Sequence, residues 1–177
     1  KKMGKEGNRL VNAWKIKNQL TEDRFNRFCE AEGLTEENGG INHCFHGSRS
    51  ENFWSIITNG LTINPVGVVI TGKAFGNGTY FAIDACKSMG YTNRSGSVWA
   101  HGSSSTGFMG IYKVATGKEY VPQGCDSGLN WKKLQSIAPG AHCTWYHTGG
   151  SVGFRMDEIV VYQDQQDTIE YLLEVGM

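Results

Sequence analysis

The chain has 177 residues, a length that suits one domain with a substantial buried core. Its 17 Lys and Arg balance 17 Asp and Glu, so net charge points to neither nucleic acid, a membrane surface nor an acidic partner. No apolar run is long enough to span a membrane and no signal peptide is recognisable, which excludes a membrane-embedded function. The 24 glycines are about twice the usual share, and with 3 prolines and no glycine period they predict tight turns and close backbone approaches.

The five cysteines, Cys29, Cys44, Cys86, Cys125 and Cys143, are odd in number and share no CxxC spacing. They fit reduced thiols in an intracellular compartment, cytoplasm or nucleus, better than a disulfide framework. Cys125, His142, Cys143 and His147 match no standard zinc-ligand spacing, so no metal is expected. The triplets at Asn77 and Asn93 would matter only in a secreted protein. The chain opens at Lys1 without a Met and reads as a piece of something longer.

Taken in order, Lys1 to Gly7 is basic and glycine-containing, a frayed end. Leu10 to Asn18 alternates Leu10, Asn12, Trp14 and Ile16 with Val11, Ala13, Lys15 and Lys17, a strand with one largely apolar face. Thr21 is placed to cap a helix with Asp23 in its first turn, Phe25, Phe28 and Cys29 on one side and Gly33 as its stop. After the polar loop Thr35 to Gly40, Asn42 to Gly47 reads as a short buried strand. Ser50 would cap the next helix, with Phe53, Trp54, Ile56 and Ile57 as its apolar stripe and Gly60 at its end. Thr62 to Thr71 is a loop.

Gly72 to Tyr91, GKAFGNGTYFAIDACKSMGY, contains a glycine-studded loop, a short aromatic strand at Tyr80, Phe81 and Ala82, and an Asp84-capped helix over Ala85 to Gly90. Ser88 and Tyr91 lie one helical turn apart and point to the same side. Thr92 to Thr106 is a long exposed loop, Phe108 to Thr116 an alternating strand, and Gly117 to Gly153 a series of short strands and turns. Glu158 to Gln163 is a buried strand by its β-branched run, and Asp167 to Val175 closes the chain as another strand. At least five strands and three short helices in mixed order give an α+β fold, not a βαβ series.

Three places carry chemistry. His46-Gly47-Ser48 follows a strand and precedes a helix, so Gly47 lets backbone amide groups approach a ligand and His46 can hydrogen-bond a hydroxyl. On this dipeptide alone the plainer alternative is favoured: His46 as a satisfied core histidine and Gly47 as a simple turn. Tyr80 and Tyr91 could sandwich a planar ring while Ser88 donates to a carbonyl on it, or both aromatics could only fill the core. Glu158 opens an otherwise apolar strand, where a carboxylate could stabilise positive charge on an anomeric carbon. Its plainer alternative is a solvated strand-start acid, as for Asp157 beside it.

In this order and spacing the three places resemble the poly(ADP-ribose) polymerase group, the diphtheria-toxin-like ADP-ribosyltransferases with a His-Tyr-Glu signature. FHGSRSENFWSIITNGL (Phe45 to Leu61), TGKAFGNGTYFAIDACKSMGY (Thr71 to Tyr91) and DEIVVYQDQQDTIEYLLEV (Asp157 to Val175) resemble the family's three blocks. VNAWKIKNQLTEDRF resembles the strand and helix that open its catalytic domain, whereas Gly117 to Gly153 does not align. The resemblance implies the ADP-ribosyltransferase fold over residues 1–177 as a single catalytic domain: two packed, mainly antiparallel sheets flanked by short helices, with 1–8 as a flexible end. No stretch resembles the helical regulatory domain of DNA-dependent members.

It also implies an activity. NAD+ is the co-substrate, its nicotinamide–ribose bond is cleaved, and ADP-ribose passes to a macromolecular acceptor, a protein foremost, the chain itself and nucleic acid not excluded. Gly47 and Ser88 would hold the nicotinamide carboxamide, Tyr91 would stack on the ring and Tyr80 would line the opposite wall. His46 would bind hydroxyls of the adenosine ribose, and Ser48 would contact the adenosine side. Glu158 would hold the 2′-hydroxyl of the nicotinamide ribose, so Glu158, His46 and Tyr80 form the catalytic set. One departure stands out: the aromatic residue frequent between the Gly72 and Phe75 positions is replaced by Lys73 or Ala74, which loosens or recharges that wall. The alternatives are an NAD+ glycohydrolase that passes ADP-ribose to water, as a toxin would, and an inactive module that only binds NAD+ or ADP-ribose.

Overall fold

Two four-stranded sheets form the body of the fold in the computed structural model, which describes residues 3–63, 73–92 and 105–176, though not the side chains of Lys5 and Glu6. The first sheet has the order β1 (Leu10–Lys15), β8 (Asp167–Gly176), β4 (Thr106–Ala115), β2 (Ile41–Gly47). The second has β3 (Thr79–Phe81), β7 (Glu158–Val161), β6 (Cys143–Tyr146), β5 (Glu119–Tyr120). Every pair is antiparallel except β5–β6. The expected α+β architecture of two mainly antiparallel sheets with helices around them is thus present.

The sheets face each other through Cys44, Tyr112, Val114 and Ile169 on one side and Phe81, Cys143, Ile159 and Val161 on the other. The β-branched run at β7 is buried on both faces, each such side chain contributing about 1.5–3 kcal/mol. An antiparallel bridge joins the sheets: Phe45 N–H donates to the Ala82 carbonyl at 2.7 Å and Ala82 N–H to the Phe45 carbonyl at 3.0 Å. That bridge sets the end of β2 beside β3, and the site follows from it.

Several local expectations are corrected. Helix α1 (Gln19–Glu32) is capped by Asn18, whose Oδ1 accepts from Thr21 N–H, and Glu22 is the acid in its first turn. The Thr21 hydroxyl is engaged instead with Thr168 at 2.8 Å. Gly33 does end the helix, in the left-handed conformation that favours glycine. Ser50 opens a 3-10 turn (Ser50–Asn52) without a side-chain cap, and α2 (Phe53–Asn59) follows it. Phe53 and Ile56 are buried, but Trp54 points to solvent, because one face of so short a helix reaches the core.

β1 forms but ends at Lys15, short of the expected Asn18, which caps α1 instead; all six of its residues are exposed, and it lies at the sheet edge beside β8. The expected frayed end contains a 3-10 helix over Gly4–Arg9. The non-aligning stretch holds a helix the pattern did not reveal, α4 (Trp131–Ile137), capped by Asn130. The strand expected to reach Gln163 ends at Val161. Thr92 is buried, not part of an exposed loop, and Thr106 already belongs to β4. Most of the two expected loops Thr62 to Thr71 and Thr92 to Thr106, with Thr71, Gly72 and the Asn93 triplet, lies outside the described residues. Among the described residues, no helix is long and apolar enough to cross a membrane.

Candidate active site

At the junction of the two sheets lies a cavity of about 1050 Å³. All seven residues singled out from the sequence line it: His46, Gly47, Ser48, Tyr80, Ser88, Tyr91 and Glu158. Five of them sit on four elements, with Ser48 just after β2 and Tyr91 just after α3 (Ala85–Met89). The end of β2 supplies His46 and Gly47, β3 supplies Tyr80, α3 supplies Ser88, and β7 supplies Glu158. Tyr91 follows α3 on a continuing turn, its N–H bonded to the Ser88 carbonyl at 3.1 Å, so the predicted one-turn spacing holds beyond the helix end.

His46 Nδ1 lies 2.8 Å from the Tyr80 carbonyl, which can only accept, so the ring carries its proton there. Nε2 of the neutral ring is then an acceptor. Burial pushes the His46 pKa down and the Tyr80 carbonyl only partly restores it, so the ring stays neutral at ordinary pH. Gly47 rests on α3. A Cβ at Gly47 would stand 2.0 Å from the Ser88 carbonyl oxygen, so the strand end and the helix touch through the missing side chain. Ser88 itself is 4% exposed. On the other side Asn52 Nδ2 donates to Ser48 Oγ at 2.9 Å.

The glycine loop before β3 is clasped on all sides. The Tyr80 hydroxyl accepts from Phe75 N–H at 3.0 Å and donates to the Gly76 carbonyl at 2.9 Å, and burial pushes its pKa up to about 12. Phe75 is fully buried against Tyr146 and Phe154, and its carbonyl accepts from the Tyr162 hydroxyl at 2.8 Å. Asn77 N–H donates to the Leu129 carbonyl and Asp126 N–H to the Ala74 carbonyl, so the non-aligning stretch grips this loop. Gly76, at φ +79°, is pressed so closely against Leu129 that a Cβ would fall 2.0 Å from its carbonyl oxygen. Of the two residues at the departing position, Ala74 lines the cavity while Lys73 turns to Asn77 at 2.7 Å. The wall is therefore opened by a small side chain. Tyr80→Phe removes both loop bonds while leaving the ring, and is expected to cost about 1 kcal/mol, or roughly 2–4 °C in Tm. Faster amide exchange at Phe75 alongside that shift is the check.

Glu158 is 6% exposed, so the solvated-acid alternative does not describe it. Its register explains the direction: Tyr80 pairs with Val160, two residues from Glu158, which puts Tyr80 and Glu158 on one face of the sheet. Lys87 Nζ lies 2.9 Å from Glu158 Oε1 and bonds the Asp157 carbonyl at 3.3 Å, with the Phe154 ring 5.7 Å away. Lys87 precedes Ser88 in the Gly72 to Tyr91 stretch, but nothing local signalled that it meets an acid 71 residues on. Arg49, Phe154, Arg155 and Met156 also line the cavity and carried no advance signal. Burial first, then the Glu158 carboxylate, push the Tyr91 hydroxyl up.

The zinc candidates are not brought together. Cys143 is buried within β6, His142 meets Glu32 and the Lys118 N–H, and His147 meets Glu119 and Asp157.

Two facing, mainly antiparallel sheets with short helices around them and a cleft at their junction fit the fold of the ADP-ribosyltransferase class. The family model described as poly(ADP-ribose) polymerase catalytic domain matches residues 1–177. The chain belongs to this family of NAD+ ADP-ribosyltransferases. It is 30% identical over 136 residues to the poly [ADP-ribose] polymerase-like 100L of Invertebrate iridescent virus 6, covering 73% of this chain and 68% of the viral one. It is 27% identical to the human protein mono-ADP-ribosyltransferase PARP3 over 95% of this chain and 34% of that protein. With poly [ADP-ribose] polymerase 1 of Danio rerio it shares 29% identity over 74% of this chain and 14% of that one. The chain thus spans about two thirds of the viral relative and a far smaller part of the other two.

Proposed function

We propose that the chain cleaves the nicotinamide–ribose bond of NAD+ and transfers ADP-ribose to a protein acceptor. The observation that carries this reading is a buried carboxylate, Glu158, sharing one cleft with the Gly47–Ser88 contact and the Tyr80 and Tyr91 rings. In it, the Gly47 backbone and Ser88 hold the carboxamide, Tyr91 stacks on the nicotinamide ring, and Tyr80 forms the far wall. His46 offers its Nε2 lone pair to a hydroxyl of the adenosine ribose, with Ser48 alongside. The cavity volume of about 1050 Å³ accommodates a dinucleotide and leaves an approach for an acceptor.

The leaving nicotinamide nitrogen already bears the positive charge, so no general acid is needed. The C1′–N bond breaks with its electron pair going to nicotinamide, which departs neutral. Positive charge develops on the ribose, and the Glu158 carboxylate, accepting from the 2′-hydroxyl, stabilises it. The acceptor nucleophile attacks C1′, forming the new glycosidic bond, and any proton it carried passes to solvent water. Lys87 holds one Glu158 oxygen in place and leaves the other for the ribose.

Incubation with labelled NAD+ and candidate protein or oligonucleotide acceptors, with products resolved by size and mass, tests this directly. Nicotinamide release with label on protein is the expected result. Free ADP-ribose as the main product means glycohydrolysis, and binding without nicotinamide release means an inactive module. A pH profile adds a second check. Because the His46 pKa is lowered from 6.5, its neutral acceptor form persists above that value and is lost as pH falls through the depressed pKa. We expect kcat/KM for NAD+ to be level above pH 6.5 and to fall only below it.

A further inference from the structure

We propose that Asp157 is the positioning residue for Glu158, a role that rests on the catalytic reading of Glu158. The carboxylate of Asp157 accepts three hydrogen bonds, from Trp145 in β6 and twice from Thr148 in the turn after it, and His147 faces it. Thr148 donates to Oδ1 twice, from N–H at 2.9 Å and Oγ1 at 2.8 Å. Trp145 Nε1 donates to Oδ2 at 3.2 Å, and His147 Nδ1 lies 3.4 Å from the same oxygen. The Trp145 and His147 rings stack at 5.3 Å, and His147 Nε2 reaches Glu119 at 3.1 Å, which ties the turn to β5.

Fastening this side chain fixes the peptide that enters β7. The carbonyl of that same residue and Glu158 Oε1 are the two oxygens that seat the Lys87 ammonium. Side chain, carbonyl, Lys87 and Glu158 therefore form one chain of contacts, from a surface turn to the reacting centre. Burial raises the Asp157 pKa, but the Thr148 and Trp145 donors and the nearby His147 outweigh it, so the carboxyl is held below the usual range and stays an anion that accepts the three hydrogen bonds. An acid that only solvated a strand start would need none of these partners. Asp157 touches no reacting atom: it acts through Lys87 and the β7 backbone.

The test is steady-state nicotinamide release by Asp157→Ala, Asp157→Asn, Thr148→Ala, Lys87→Met and the Asp157→Ala/Lys87→Met pair, with nicotinamide affinity and Tm measured alongside. Asp157→Ala is expected to lower kcat about tenfold with KM for NAD+ and nicotinamide affinity unchanged. Thr148→Ala should lower kcat in the same sense but less. The double variant should be no slower than Lys87→Met alone, because both act through one link. An unchanged kcat in Asp157→Ala, or multiplied losses in the double variant, overturns the proposal. Should Asp157→Ala fail to fold, an unchanged kcat in both Asp157→Asn and Thr148→Ala does the same. Glu158→Gln separates the two readings. If it keeps activity, the catalytic reading fails; if it is inactive while the Asp157 variants are normal, only the positioning role fails.

Discussion

Glu158→Gln should lower transfer and nicotinamide release by about 10²- to 10³-fold, the range for removing one electrostatic group that acts on the transition state. The substitution keeps shape and removes charge. Its amide can still accept from a ribose hydroxyl, so ground-state binding survives and KM for NAD+ should stay within about threefold. What disappears is the negative charge facing the developing oxocarbenium character, which matters most in a site this poorly solvated. Lys87 complicates the variant: without its partner anion, the ammonium 2.9 Å away becomes an uncompensated positive charge beside the same centre. Glu158→Gln/Lys87→Met should therefore recover stability without recovering rate. A Tm near the parent's with kcat still lost places the defect in chemistry; full transfer by Glu158→Gln would remove Glu158 from the mechanism.

The site was more legible than the frame that holds it. Gly47, Ser88, Tyr80 and Glu158 belong to short local strings whose order along the chain survives folding, and the antiparallel bridge at Phe45 and Ala82 brings two of those strings side by side. Alternation located β4 and β8, and short apolar or β-branched runs located β2 and β7, to within a few residues. Caps were harder. Asn18 and Thr21 are both capable, and the choice is decided by bonds from Asn18 Nδ2 to the carbonyls of Ile57 and Thr58, which no local pattern encodes. Helix α4 escaped notice because only Leu134 of its seven residues is buried, leaving no apolar stripe to count.

Lys87 and Asp157 were hidden for a different reason. A lysine after a cysteine on a short helix, and an aspartate before a strand, look like surface residues. What sets them apart comes only from contacts between α3 and the start of β7, where Lys87 meets Glu158 and the Asp157 carbonyl. Long-range charge pairing leaves no periodic trace in a single sequence. Asp157 and Glu158 were distinguishable only through register: the alternation of β7 gives Glu158 the face that Tyr80 shares.

Gly47→Ala is the second large expected effect. The added Cβ would lie 2.0 Å from the Ser88 carbonyl oxygen, 2.9 Å from its carbon and 3.0 Å from Thr92 Oγ1. Two of these are backbone atoms, so no rotamer change relieves the clash, and either the end of β2 or α3 must move. Overpacking of this kind costs about 1–3 kcal/mol. In a chain of this size that is a fall of roughly 2–12 °C in Tm. Function should suffer more than stability, since the displaced helix carries Ser88 and Lys87 and the displaced strand carries His46. Nicotinamide affinity is expected to drop more than tenfold, because the Gly47 backbone and Ser88 can no longer face one carboxamide together. Gly124→Ala is the control: a Cβ there meets nothing within 4 Å, so binding and Tm should match the parent. Parental nicotinamide affinity in Gly47→Ala would show that the contact between Gly47 and Ser88 does not shape the nicotinamide site.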